Sequence, residues 1–200
     1  MIDLAKDSTE YYGKQFNNLQ NPSESFDGIE FDSCKFTECD FSDANFTRCK
    51  FIDCHFLKCN LSVLKVEYSK FFDVIFEDCK MVGVNWTKAD WPSLALCAPI
   101  KLLKCIISDS SFYGLKLKEL VIEECKAHDV DFREGDFTEA NFSYSKFSGS
   151  LFNSTNLTAA DFTEATDYHI DIYNNRINQA KFSRYEAVSL LESLDVELVD

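Results

Sequence analysis

Large apolar residues return at every fifth position along most of the chain. Phe26, Phe31, Phe36, Phe41, Phe46, Phe51 and Phe56 open a series that continues through Leu61, Val66, Phe71, Phe76, Met81, Trp86 and Trp91. One residue out of step, a second series runs Leu102, Ile107, Phe112, Leu117, Ile122, Ala127, Phe132, Phe137, Phe142, Phe147, Phe152, Leu157 and Phe162. Ile172, Ile177 and Phe182 extend it past an interruption at Asp167. A period of five matches neither the 3.6 of a helix nor the 2 of a flat strand. Two residues ahead of each large side chain stands a small one, as at Cys34, Cys39, Ala44, Cys49, Cys54 and Cys59, and later Ala140, Ser145, Ser150, Thr155 and Ala160. One large and one small residue point inward per five, and no single unit can bury them alone. The pattern predicts a stacked solenoid with a continuous core.

The breaks in the pattern divide the chain into a repeat domain over 1–182, with a break near 92–101, and a C-terminal segment over 183–200. The stretch "NWTKADWPSLALCAPIKLL" holds the register slip, Pro92, Pro99 and Cys97, the one cysteine outside the small-residue series. Proline lacks a backbone donor and restricts the residue before it, so the ladder should open here and Pro92 to Pro99 should bulge from one face. A tolerated one-residue insertion and a binding loop both fit. Further on, Ser183 and Glu186 have the form of a capping box, and Ala187, Leu190, Leu191 and Leu194 mark one face of a helix of about ten residues. Val196 and Leu198 then alternate with acids like a short half-buried strand. This segment could cover the solenoid end, but its apolar stretch is long for a lid alone, and a two-fold dimer through these six residues is expected.

The units "CDFSDANFTRCKF" and "GDFTEANFSYSKFSGSLFNSTNLTAADF" resemble the pentapeptide-repeat family, whose unit is A(D/N)(L/F)XX, over 26–91 and 102–182. The resemblance implies an all-β solenoid, a right-handed quadrilateral β-helix with one pentapeptide per side, here followed by a C-terminal dimerisation helix. Two repeat tracts, one break and a terminal helix are similar in plan to the Qnr-type group, which protects DNA topoisomerases from poisons. The segments "MVGVNWTKADWP", "YHIDIYNN" and "EAVSLLESLDVEL" look like those of albicidin-resistance members of that group. What this implies is a DNA mimic that occupies the DNA-binding saddle of the DNA gyrase A subunit, with topoisomerase IV as a second candidate target, and counters poisons such as albicidin or quinolones. Many Qnr proteins carry two loops. The first tract here is unbroken, so contacts of a second loop are not implied.

Charge and composition bear on that role. A net charge of −14 argues against direct nucleic-acid binding, which needs Lys and Arg to displace counterions, and suits a partner with a basic groove. With roughly eight coils at about 4.8 Å each, the charge density is about one per 2.7 Å, against roughly one per 1.7 Å in duplex DNA. No stretch approaches the roughly 18 apolar residues of a membrane helix, and "MIDLAKDSTEYYGKQF" has no basic segment followed by an apolar run. The expectation is a cytoplasmic protein whose nine cysteines are free thiols, packing as small apolar side chains rather than holding metal. Neither a cofactor nor an enzymatic constellation is indicated: His55, His128 and His169 read as scattered surface residues without partners. A generic scaffolding solenoid is the rival reading.

Stacking every fourth unit, with Phe112 placed after Trp91, gathers Glu30, Asp32, Asp53, Asp73, Asp90, Asp131, Glu134 and Asp171 on one face against Lys50, Lys70 and Arg133, a net −5. About −1 remains on each other face. These acids, with Pro92, Ser93, Leu94 and Pro99 of the break, are the expected partner-binding residues.

Overall fold

The computed structural model describes residues 8–92, 98–194 and 196. Each pentapeptide forms one side of a four-sided coil. Its large residue points inward and its two neighbours point out, as in Lys35–Thr37 and His55–Leu57, where Phe36 and Phe56 are buried between half-buried flanks. The corner is turned two residues after the large one, in the left-handed region: non-glycine corner residues such as Ser33, Asp53 and Glu139 have φ of 54°, 47° and 61°. This places the corner N–H along the stacking axis, so that Ser33 N donates to Ile52 O and Asp53 N to Phe72 O, both at 2.9 Å. Parallel pairing then repeats every twenty residues, Phe31 with Phe51 and Phe51 with Phe71, through roughly eight coils.

Four inward columns follow. Column A stacks Tyr11, Phe31, Phe51 and Phe71 with ring centroids 5.2–5.4 Å apart, and Trp91 tilts onto Phe71 at 5.8 Å. Column B stacks Phe16, Phe36, Phe56 and Phe76. Column C begins at Phe41, and column D at Phe26 and Phe46. Tyr11 and Phe16 lie below the first residue of the sequence periodicity. Asn21, where an apolar residue is missing, is what hides this first coil from a hydrophobic count. Burying each large side chain contributes about 1.5–3 kcal/mol, so the columns dominate stability.

The central break differs from the reading of a one-residue slip. Val74 pairs with Ile100 and Phe76 with Leu102, an offset of 26 where the coil needs 20, so the chain holds six residues more than a regular coil here. Column B therefore continues through Leu102 and Ile122. Trp86, not Trp91, is followed by Phe112: Asn85 bridges Ser111 and the two rings stack at 6.0 Å. Column D runs on through Phe132 and Phe152, which leaves Leu117 to follow Trp91 in column A. Because five and six differ by one, a whole extra side had been inserted without altering the apparent slip.

Near the C-terminal end Phe152 pairs with Ile170 rather than Ile172. Asp167 takes a corner with φ of 57°, and Tyr168 fills the core at 1% exposure. Glu186–Leu194 forms a nine-residue 3-10 helix, entered by a bond from Ala187 N to Ser183 O at 2.9 Å. The capping box does not form, because the Ser183 hydroxyl accepts from Glu164 N at 2.8 Å and donates to the Glu164 carboxylate at 2.9 Å. Leu190 packs on the core, while Ala187, Leu191 and Leu194 are half-buried and Val188 and Val196 exposed. Leu198, the last residue of the expected dimer face, lies outside the described residues.

All eight described cysteines are buried and unpaired, and each of their thiols donates to a carbonyl of the preceding coil, as Cys54 does to Phe31 O at 3.4 Å. Burial pushes Cys54 up to about 12 and Cys49 to about 11, far from the thiolate form that reacts or binds metal.

Candidate partner-binding surface

The corrected register divides the eight acids between two adjacent faces. Glu30, Asp32, Asp53, Asp73 and Asp90 flank column A, together with Pro92, where the excursion leaves. Asp131 and Glu134 flank Phe132 in column D, and Asp171 follows Ile170 there. The single acidic face with a net −5 is thus an artefact of placing Phe112 after Trp91. Recounted, face A carries Glu10, Glu30, Asp32, Asp53, Asp73, Asp90, Glu119, Asp136 and Glu139 against Lys50, Lys70, Lys116, Lys118 and Arg176. Nine acids less five bases give −4, and no other face exceeds −2. The acidity still concentrates on the face that bears the excursion.

Several of these carboxylates are engaged. Glu30 pairs with Lys50 at 3.2 Å, Asp90 with Lys70 at 3.3 Å and Asp73 with Lys101 at 2.8 Å. Asp32 accepts from the Ser33 hydroxyl at 2.7 Å. On face D the Arg133 side chain clasps Asp131 at 2.8 and 2.9 Å and holds its carboxyl below the usual range. Asp171 accepts from Tyr173 N at 2.8 Å and caps a turn of the last coil. Exposed pairs of this kind are individually weak, yet they orient the acids and soften the field of face A. Cross-coil partners were invisible in the sequence because their spacing is 20 or 28 residues.

The excursion is also narrower than expected. Pro99 is buried and its carbonyl accepts from Val74 N at 3.0 Å, so it belongs to the coil and not to a bulge. Ser93 and Leu94 lie outside the described residues. At its base Trp91 donates from Nε1 to Trp86 O at 2.9 Å, and outward-facing Ile52 and Phe72 pair in register beneath Pro92. These apolar neighbours stood at ordinary polar positions of the repeat, a signal that a count of outward hydrophobic residues would have found. His55, read as a surface residue without a partner, bonds Glu77 of the next coil at 3.1 Å.

Among the described residues no group of three or more His, Cys, Asp or Glu side chains is placed to hold a metal ion, and no helix is long and apolar enough to cross a membrane.

Comparison with known proteins agrees with this architecture. Trypsin-treated variants of QnrB1, described as a plasmid-mediated fluoroquinolone resistance protein, superpose with TM-scores of 0.68 at 20% identity, over 100% of this chain and 96% of theirs, and 0.65 at 19%, over 92% and 100%. HetL from the cyanobacterium Nostoc sp. strain PCC 7120, involved in heterocyst differentiation regulation, gives 0.61 at 11% identity over 88% of each chain. No curated protein sequence matches the chain. The family model for the pentapeptide repeat region matches residues 29–98 and 95–162, and the chain belongs to the pentapeptide-repeat family.

Proposed function

We propose that the chain is a DNA mimic that binds the A subunit of DNA gyrase, with topoisomerase IV as a further target, and relieves poisons of the albicidin or quinolone type. The observation that carries this reading is that the six-residue excursion leaves the coil on the most acidic of the four faces, part-way along the rod. An acidic rod fits a groove built for duplex DNA, and an excursion at that point can reach past the groove floor. The likeness to QnrB1 is one of fold, and its described role in fluoroquinolone resistance lends direction to the reading. The exposed Val188 and half-buried Leu191 of the terminal helix suit pairing with a second copy, which would double the length of the rod.

A scaffolding role is the second reading, favoured by the ion pairs that neutralise Glu30, Asp73 and Asp90. Supercoiling and cleavage by purified gyrase, with and without each poison and titrated with this protein, separate the two. Protection should weaken as salt rises, because long-range attraction is screened beyond about 8 Å at physiological ionic strength. Asp32→Lys with Asp53→Lys should weaken it further. Light scattering of the intact chain should report a dimer. If a folded preparation leaves gyrase cleavage unchanged at low salt, the scaffold reading takes over.

A further inference from the structure

Face D changes character along its length. In the coils before the break the positions directly flanking its large residues hold Ser25 and Asp27, Asn45 and Thr47, Lys65 and Glu67, then Asn85 and Thr87, all small or charged groups suited to a solvated strand, and the exposed Tyr68 stands only at a corner. After the break they become Ser111 and Tyr113, Asp131 and Arg133, and Leu151 and Asn153. Tyr113 is 42% exposed and Leu151 46%. Bridges from Ser111 to Asp131 and from Asp131 to Leu151 put the three pairs side by side in successive coils.

Arg133 is held between them. Asp131 accepts from its Nε and Nη2, and the guanidinium carbon lies 5.8 Å from the Tyr113 ring centroid. A planar fork fixed at one edge and stacked on one side has little rotamer freedom left. Ordering such side chains ordinarily weakens association, and here that cost is already met within the fold. Around the corner toward face A, a cleft of about 460 Å³ is lined by Glu134, Asp136, Asn156 and Arg176, with Tyr173 at its rim, 74% exposed.

We propose that Tyr113, Arg133 and Leu151 form a docking surface for a protein partner that sets an apolar side chain against Tyr113 and Leu151 and a lysine or arginine in the cleft. Charge complementarity fixes the occupant: Glu134 and Asp136 face Arg176 alone in the cleft, and Asp171 adds a further acid in the coil of Arg176. Tyrosine and arginine dominate the energetics of protein interfaces, and a leucine left on a solvated strand gains only when something covers it. The proposal deepens the gyrase reading and rests on it, naming the partner as the cationic saddle of the A subunit. Its apolar part, at Tyr113 and Leu151, adds a contact that, unlike charge imitation, survives high salt.

Binding of the purified gyrase A subunit to the full chain tests this at low and at high salt, for the wild type, Leu151→Ser, Tyr113→Ala and Arg133→Lys. Tyr144→Ala is the control, since Tyr144 is 58% exposed on the corner between faces B and C. All four substituted side chains point outward, and unchanged melting temperatures will confirm the fold. Each patch variant should lose about thirtyfold in affinity at both salt concentrations, as expected of a hot-spot residue, while Tyr144→Ala binds like wild type. Wild-type binding with undiminished patch variants overturns the docking surface and leaves the gyrase reading standing. No wild-type binding at low salt overturns both.

Discussion

At the scale of the residue, the repeat makes one demand that composition does not reveal: every corner needs a positive φ. Glycine, Asn, Asp and Ser meet it at little cost, and most corners hold such residues or long polar ones. Tyr68, Tyr144 and Ala159 depart from this, and Val63 is the β-branched case among the described residues, at φ 57° and 52% exposed, with its N–H tied to Val82 O at 2.7 Å. A left-handed conformation costs an L-residue about 1–2 kcal/mol, and β-branching makes it worse. Val63→Gly should therefore stabilise the protein by about 1 kcal/mol, read as a higher denaturant midpoint. A midpoint that falls would mean that Val63 packs on something the fold needs. The cysteines teach a related lesson. Read five apart, they fall on successive sides and look like interchangeable filler. Read twenty apart, Cys39, Cys59, Cys79, Cys105 and Cys125 stack in a single column, where Cys59 N donates to Cys79 Sγ at 3.4 Å and Cys105 N to Cys125 Sγ at 3.3 Å. The inward direction of each thiol was legible from its place before the large residue. The column was not, because it needs both the number of sides and the length of the excursion.

At the scale of the element, single sides were readable and their ends were not. A strand such as Lys35–Thr37 announces itself by one apolar residue between two polar ones, whereas the last coil departs from the repeat by tertiary packing. Tyr168 occupies core space that the period assigned to Asp167, and the terminal helix closes over it. Burial, with Glu186 nearby, pushes the Tyr168 phenol up to about 12, above the roughly 10 of a free tyrosine. A raised folded value means that the neutral form is favoured in the native state. Its contribution is therefore fully present below pH ~10 and is lost as pH rises toward about 12. Tyr168→Phe removes the titrating group. Between pH ~10 and 12 the melting temperature of this variant should fall less steeply than that of the wild type. Parallel slopes would show that the lid opens before the phenol ionises and that the helix does not seal the coil end.

At the scale of the whole molecule, the rod is one continuous stack despite its interruption. The amino-acid pattern revealed both tracts, but it could not count the residues that leave between them. A slip of one and an insertion of six are the same number modulo five, and only the pairing of Val74 with Ile100 tells them apart. That ambiguity moved Asp131, Glu134 and Asp171 onto the wrong face, although the acidity of Glu30, Asp32 and Asp53 beside the excursion was placed correctly.

The same arithmetic yields a sharp test of the stack. Deleting residues 94–99 removes six positions, so that Trp91 is followed by Pro92, Ser93 and then Ile100. Pro92 would occupy the position after the large residue, where Pro22 already stands in the first coil and where the repeat uses no backbone donor in its ladder. Ser93 would take the corner, a place that Ser33 fills at φ 54°, and Ile100 would keep its partner Val74. This variant should fold with a stability close to wild type, by thermal and denaturant melts, because long surface insertions change the closure entropy by only about 0.6 kcal/mol per doubling. Under the gyrase reading it should also protect less well. Deleting five residues, 95–99, leaves one residue too many between Trp91 and Ile100, which must bulge at a corner that every regular coil closes without it. That variant should fold but melt lower than the six-residue deletion. If the five-residue deletion proves the more stable of the two, the columns do not run through the break as described, and faces A and D must be reassigned.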